Sequence, residues 1–380
     1  MENDRVRFRE EEIMDDILRV SRDFFTKPRT LPRALITGAN GFMGQYMQRV
    51  LMDWRDGYDL TLTDIGGEPS RGVQLVHSPG TSPGVPYVYE PCDLRDFSQI
   101  KLLTLREGPF DVVFHVAGLF DYSASVDDLR AVNVDGARNL IRALGVGLKP
   151  KRIVVWGAGG VYDFTKESPA TETSPTNPKG GYLTTKYEEE MMMLEEGARL
   201  GIPVTVIRPC GVYGAGSRYG VATSIMLAAR GGMGPFYFGP GNTRAGMVHA
   251  EDVCRAAAFL ANRIEAEGQI YNVNDDCDSV ARPAYCTADL MRKCAERLDF
   301  PLLPFNFPIG IMRFFIGNLR KKAAKKGRVS ILTEEMTDLL AYDALLDASK
   351  LRALGWRPKH PDSLKGLLAT IDQYEEEGSL

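Results

Sequence analysis

The sequence is poor in the residues that build metal centres and disulfide frameworks. Its six cysteines, at positions 92, 210, 254, 277, 286 and 294, include no Cys-x-x-Cys pair, and only four histidines are scattered along 380 residues. Zinc-type ligand spacing is therefore missing, and no metal is expected. The thiols are read as reduced and mostly buried, which suits a cytoplasmic protein. No stretch reaches the roughly 20 apolar residues that a membrane span needs. The opening residues mix acidic and basic side chains, so no secretory leader is expected. Neither sign of charge dominates: the formal net charge of −4 implies no general affinity for nucleic acid. Hydrophobic content of 44% and charged content of 25% are ordinary for a globular chain. The length allows one large α/β domain with an elaborated second lobe, or two domains.

What the sequence does have is a glycine turn in the right setting. The apolar stretch 33–36 reads as a buried strand, and residues 45–52 read as a helix. Between them lies Thr37-Gly38-Ala39-Asn40-Gly41-Phe42-Met43-Gly44. Strand, glycine turn and helix together grip a dinucleotide. Gly38 permits the tight turn, Gly41 lets the backbone approach a pyrophosphate, and Gly44 lets the helix pack on the strand. Asn40, Phe42 and Met43 complete this candidate cofactor-binding segment. The helix N-terminus offers its N–H groups and positive dipole end to phosphates. Glycine triplets also serve ordinary turns, and the next strand, 59–64, narrows the choice because it ends in Asp64. A carboxylate there accepts the hydroxyls of an adenosine ribose and repels a 2′-phosphate, which favours NAD over NADP.

Apolar strands then alternate with helical segments. Strands are expected at 34–37, 59–64, 87–90, 112–116, 152–156 and 204–208. Continuous runs such as Val112-Val113-Phe114 and Ile153-Val154-Val155 suit strands covered on both faces. The fold class is therefore α/β, a Rossmann-type doubly wound parallel sheet with a smaller C-terminal substrate-binding lobe. Residues 1–30 read as a helical extension and 31–215 as the nucleotide-binding domain, with returns near 247–275. Residues 216–380 read mainly as the substrate lobe. Residues 66–86 read as a loop, and a last helix pair is expected near 349–354 and 363–377.

The second informative string is Tyr182-Leu183-Thr184-Thr185-Lys186. On a helix, residues four apart share a face. A neighbouring ammonium favours the phenolate form of a tyrosine whose ordinary pKa is near 10. Such a tyrosine can take a proton from an alcohol as hydride leaves, or return one to a carbonyl. Tyr182 and Lys186 are the candidate catalytic residues.

With these strings in order, the chain resembles the extended short-chain dehydrogenase/reductase superfamily, which includes NAD-dependent epimerases/dehydratases and 3β-hydroxysteroid dehydrogenase-like enzymes. The resemblance covers roughly residues 32–375. Its further motifs are Cys92-Asp93-Leu94, His115-Val116-Ala117-Gly118, Asn133-Val134-Asp135-Gly136, Arg208-Pro209-Cys210-Gly211-Val212-Tyr213-Gly214, Val248-His249-Ala250-Glu251-Asp252-Val253 and Tyr271-Asn272-Val273. It implies that Asp93 bonds the adenine amino group with Leu94 beside the ring, and that Ala117 and Gly118 line the cofactor. It also implies that Pro209 to Val212 cradle the nicotinamide carboxamide, that Tyr182 and Lys186 reach the cofactor as well as the substrate, and that Asn133 holds the central helix geometry. A homodimer built on the helices around Asn133 and Tyr182 is expected on the same ground. Read by itself, Asp93 is equally a helix N-cap for the segment from Arg95.

One departure stands out. The fifth strand of that superfamily ends in a serine or threonine that bonds the reacting oxygen, and here Ala158 takes its place. A substrate hydrogen bond, or Tyr162 or Ser123, are the substitutes open to the chain. Three functions follow. The first is an NAD-dependent oxidoreductase acting on a secondary alcohol or ketone. The second is a nucleotide-sugar epimerase or dehydratase with transient hydride transfer. The third is a catalytically weak NAD-binding regulator. The substrate is a small molecule, either a nucleotide-sugar or an apolar alcohol. The apolar run 300–315, followed by basic residues at 320–328, admits a hydrophobic substrate or peripheral membrane contact, or a plain core segment beside a solvated helix face. Arg218 and Arg244 are further candidates for a substrate phosphate or carboxylate.

Overall fold

The computed structural model describes residues 31–53, 57–66, 87–121, 124–217, 237–238, 242–275, 278–279, 282–300, 306–308, 310–311, 314, 317–318 and 342–378. The expected helix within 1–30, most of the loop 66–86, Arg218, Ser123 and the basic cluster 320–328 lie outside the described residues.

β-branched and aliphatic runs form the strands in the order expected. They are β1 (Arg33–Thr37), β2 (Asp59–Thr63), β3 (Tyr87–Tyr89), β4 (Val112–His115), β5 (Arg152–Trp156) and β6 (Val204–Pro209). Two short strands, β7 (Gly211–Tyr213) and β8 (Met247–His249), pair with each other beyond the end of β6. A seventh sheet strand, β9 (Ile270–Val273), was not among the expected six. It joins the far edge, giving the parallel order β9-β6-β5-β4-β1-β2-β3.

Successive residues along each strand face opposite layers, as the pleat requires. Ala34, Ile36, Val112, Phe114, Val154, Trp156 and Ile207 pack in one core with α1 (Phe42–Met52). Leu35, Val113, Ile153, Val155, Val204 and Val206 pack in the other, with α2 (Phe97–Glu107). Burial on both faces explains why these strands read as unbroken apolar runs. Between α2 and the long helix come α3 (Val126–Arg130), a π-helical turn at Ala131–Gly136, and α4 (Ala137–Leu144). The long helix α5 (Gly180–Leu200) covers the second face beside α4, and α6 (Ala250–Ala261) lies beside α1 on the first. α7 (Thr287–Arg297), α8 (Ser349–Ala353) and α9 (Ser363–Glu376) finish the described chain. The chain moves from β3 at one edge back to β4 beside β1. The crevice at the carboxyl ends of β1 and β4 is thus the topological switch point, where such sheets hold ligands. Of the apolar run 300–315, Asn306–Phe307 pairs in parallel with Tyr237–Phe238. No described helix is long and apolar enough to cross a membrane.

Candidate active site

The glycine turn closes that crevice. Gly38 has φ +69°, a left-handed conformation suited to glycine. A Cβ there would lie 2.6 Å from Ala117 Cα, so the turn rests directly on the end of β4. A Cβ on Gly44 would overlap the Gly38 carbonyl, so α1 sits equally close to the turn. Gly41 N–H donates to Gly38 O at 3.1 Å. α1 then starts at Phe42 with no side-chain cap, which keeps its positive end clear of protein side chains. Phe42 and Met43 pack against the α1–α6 core.

The neighbouring polar groups are fixed by short bonds. Asp64 Oδ2 accepts from Asn40 N–H at 2.9 Å, and its Oδ1 accepts from Ile65 N–H at 2.7 Å. The carboxylate is thereby pinned beside the turn. Asp93 holds Arg95 in a bidentate pair, with a closest approach of 2.7 Å, and this keeps its carboxyl below the usual range. The cap of α2 is Asp96, which accepts from Ser98 N–H and Gln99 N–H, so Asp93 does not serve as the helix cap. Leu94 is buried, and a Cβ on Gly136 would lie 3.1 Å from its own Cβ. Ala117 N–H donates to Thr37 Oγ1 at 3.3 Å.

The other wall comes from α5. Tyr182 lies one turn before Lys186, with the Phe120 ring edge-on to it at 4.4 Å between centroids. The π-helical turn brings Asn133 into the gap between α5 and the loop after β4. Asn133 Oδ1 accepts from Leu119 N–H (2.7 Å), and its amide donates to Leu119 O (3.3 Å) and Thr185 Oγ1 (3.2 Å). Thr185 Oγ1 donates in turn to Tyr182 O at 3.0 Å. A Cβ on Gly118 would lie 3.4 Å from Asn133 Oδ1 and 3.6 Å from Lys186 Nζ. Three separated motifs therefore meet at Gly118.

Ala158 follows β5 and heads a short 3-10 turn, Gly159–Val161. A Cβ on Gly159 would lie 2.7 Å from Pro209 O, so this turn leans on the end of β6. Pro209 pairs with Val273 and Val212 with Val248. Tyr162 does not replace the missing hydroxyl. Its own donates to Asn272 Oδ1 at 2.8 Å, and burial pushes that phenol up to about 12. Arg244 is exposed, and its N–H donates to Asp343 Oδ1 at 2.7 Å.

Three polar constellations were not anticipated from the sequence. Arg208 and Glu190 form a buried bidentate pair between β6 and α5. Glu189 lies between Lys186 and His115. His249, Glu251 and His360 bring ligand-type atoms within 4.8 Å of one another, which linear spacing across more than a hundred residues conceals. Glu251 is already satisfied there by Lys359 (2.7 Å) and His360 (2.8 Å), and a cation at ion-pair distance from the carboxylate opposes a metal. Among the described residues the five cysteines are free thiols, three of them buried.

A parallel doubly wound sheet with a glycine-lined switch point, and a Tyr-x-x-x-Lys helix along its wall, defines a dinucleotide-dependent enzyme fold of the extended short-chain dehydrogenase/reductase type. The chain belongs to the NAD dependent epimerase/dehydratase family, whose model matches residues 34–274. It is 26% identical over 362 residues to a 3beta-hydroxysteroid-dehydrogenase/decarboxylase isoform 1 of Arabidopsis thaliana, covering 90% of this chain and 79% of that protein. It is 24% identical over 257 residues to a UDP-N-acetyl-alpha-D-glucosaminuronate decarboxylase of Bacillus cytotoxicus, covering 64% of this chain and 75% of the relative. Among solved structures, the Thermus thermophilus UDP-glucose 4-epimerase in complex with NAD superimposes with a TM-score of 0.66 at 22% identity, covering 90% of this chain and 99% of that one.

Proposed function

We propose that this chain is an NAD-dependent oxidoreductase of a secondary alcohol or its ketone, with Tyr182 as the acid/base. The observation that carries the reading is the meeting of Gly118, Asn133 and Lys186 beside the glycine turn, with Tyr182 one helical turn away. The cradle fits a dinucleotide. Gly38 and Gly44 have no room for a Cβ, and α1 has no side-chain cap where a pyrophosphate would lie. Asp64 would accept the adenosine ribose hydroxyls, while Asp93 and Leu94 would border the adenine. Ala117 and Gly118 would line the cofactor, and Pro209 to Val212 would border the nicotinamide. Bound NAD supplies the hydride acceptor. Tyr182 Oη takes the alcohol proton in the oxidative direction and returns it in the reductive one. Lys186 favours the phenolate and has N–H groups to offer a ribose.

Similarity to the hydroxysteroid enzyme runs through 90% of the chain, whereas that to the nucleotide-sugar decarboxylase covers 64%. This difference in sequence reach supports an apolar secondary alcohol over a nucleotide-sugar, although the fold is shared at 90% coverage with a UDP-glucose 4-epimerase, and a homodimer and a cytoplasmic location suit the same reading. The test is mass spectrometry of small molecules released from the purified protein, together with NAD and NADP titration. Exchangeable NAD with an apolar co-purifying alcohol or ketone supports the reading. Retained NAD with a nucleotide-sugar turns it to epimerisation, and no binding of either dinucleotide overturns it. With substrate in hand, Tyr182→Phe abolishes turnover and spares NAD affinity.

A further inference from the structure

Glu189 is a buried acid of the site wall that the proposed chemistry does not use, and it sits against Lys186 itself. It is fully buried on α5, one turn beyond Lys186. Its Oε2 accepts from Lys186 Nζ at 2.6 Å. Its Oε1 faces His115 Nε2 at 3.5 Å, and neither of those two atoms has another partner. The chain of contacts continues from His115 Nδ1 to Thr37 Oγ1 at 2.8 Å, and Thr37 Oγ1 accepts from Ala117 N–H. Hydrogen placement follows from satisfying every atom. Were Nε2 bare, its lone pair would face a carboxylate lone pair in a dry interior. With Thr37 donating to Nδ1, the ring hydrogen sits on Nε2, on the side of Glu189. The Lys186 ammonium and the His115 ring, from two elements, then flank one carboxylate.

We propose that Glu189 is a positioning residue for Lys186: held between His115 and Lys186, its charge offsets the ammonium acting on Tyr182 and so sets the pH at which Tyr182 gives up its proton. This rests on the assignment of Tyr182 and Lys186 made above. The titratable groups facing Glu189 are His115 from β4, and Lys186 and Glu190 on α5, with Arg208 of β6 bonded to Glu190. Burial pushes the Glu189 carboxyl up to about 7 against the pull of Lys186. Burial and the Lys186 charge hold His115 down near 3, so the imidazole stays neutral. The offset therefore changes within the working pH range.

The test is a phenolate absorbance titration of the NAD-saturated protein, taken as the difference between each protein and its Tyr182→Phe counterpart. Glu189→Gln is expected to lower the Tyr182 step by about one to two pH units, because the ammonium then acts without its counter-charge. His115→Leu is expected to lower it as well, since a buried carboxyl deprived of a donor takes up a proton. Glu189→Asp, which keeps the charge, is expected to stay close to the parent. If Glu189→Gln fails to fold, His115→Leu carries the test. A step that stays in place or rises in both variants overturns the proposal. If the parent and Tyr182→Phe titrate alike, the assignment of Tyr182 itself fails and the proposal falls with it.

Discussion

Replacing Glu190 by glutamine isolates the interaction that joins the two walls of the site. Arg208, 2% exposed, lies in β6 just before its last residue, Pro209, and Glu190 lies on α5 four residues beyond Lys186. Arg208 Nε lies 3.1 Å from each carboxylate oxygen, and Nη2 donates to Oε1. The pair has no slack, since a Cβ on Gly157 would lie 2.5 Å from Glu190 Oε2. Glutamine keeps the shape but removes the charge and turns an amide toward the guanidinium. Arg208 is then left buried with one acceptor and the faces of Tyr162 and Tyr187, 4.8 and 6.0 Å from its Cζ. Breaking one side of a buried pair costs about 3–5 kcal/mol, and the ring contacts place this case near the lower end. Burial raises the Glu190 carboxyl even with Arg208 bonded to it, while against its own burial Arg208 is held protonated by the hydrogen bonds and charge of Glu190. Desolvation of two charges offsets most of such a pair's attraction, so it gains little over apolar neighbours. Glu190→Leu with Arg208→Met should therefore recover most of the loss. Urea unfolding at pH 7.5, followed by circular dichroism and tryptophan fluorescence together, measures both variants. A single variant within about 1 kcal/mol of the parent, or a double variant no more stable than the single, refutes the reasoning.

Three further outcomes follow from the geometry. Gly38→Ala must adopt φ near +69° with its Cβ against Ala117. It should lose about 1–2 kcal/mol from the backbone alone and more than about tenfold in NAD affinity, read by calorimetric titration. Ala158→Ser places a hydroxyl after β5 and should raise turnover at least about tenfold, toward the roughly 10²–10³ that one such donor is worth; unchanged kcat would mean that the substrate supplies this bond itself. The depressed His115 contributes stability that is fully present above its unfolded pKa of about 6.5 and is lost as pH falls toward its folded value of about 3. Going from pH 7.5 to 5, the parent should accordingly lose about 2 kcal/mol more than His115→Asn in urea unfolding, with His249 titrating equally in both proteins.

The sheet was legible because its strands are buried on both faces, which turns burial into continuous apolar runs that a sequence displays directly. β9 escaped because Ile270-Tyr271-Asn272-Val273 carries a polar residue in mid-strand. Asn272 sits there because its side chain bonds Ala170 O, Asp347 O and Tyr162 Oη, tying the edge strand to distant segments. Local signals placed Gly38, Gly44 and the Tyr182–Lys186 spacing, since each depends on residues within one turn. Asp93 reads as a cap for a segment from Arg95, but the helix begins at Phe97, so it is the Asp96 carboxylate that accepts from Ser98 N–H and Gln99 N–H.

Glu189 and Glu190 show where linear reading stops. They are adjacent acids in the run Glu188-Glu189-Glu190, which reads as a solvated helix face. In the fold Glu188 meets Arg130 near the surface, Glu189 turns to Lys186 and His115, and Glu190 turns to Arg208. Successive helical residues are rotated by about 100°, so three neighbours with one chemistry enter three environments. A run of acids just after the lysine of a Tyr-x-x-x-Lys helix is thus a reason to ask which cations and imidazoles near the strand ends lie beneath it. Here Arg208 is the penultimate residue of β6 and His115 ends β4, the strands on either side of β5. The two buried carboxylates consequently connect the Tyr182 helix to the carboxyl edge of the sheet, where the glycine turn lies. A charge change at either position should reach the chemistry without touching substrate.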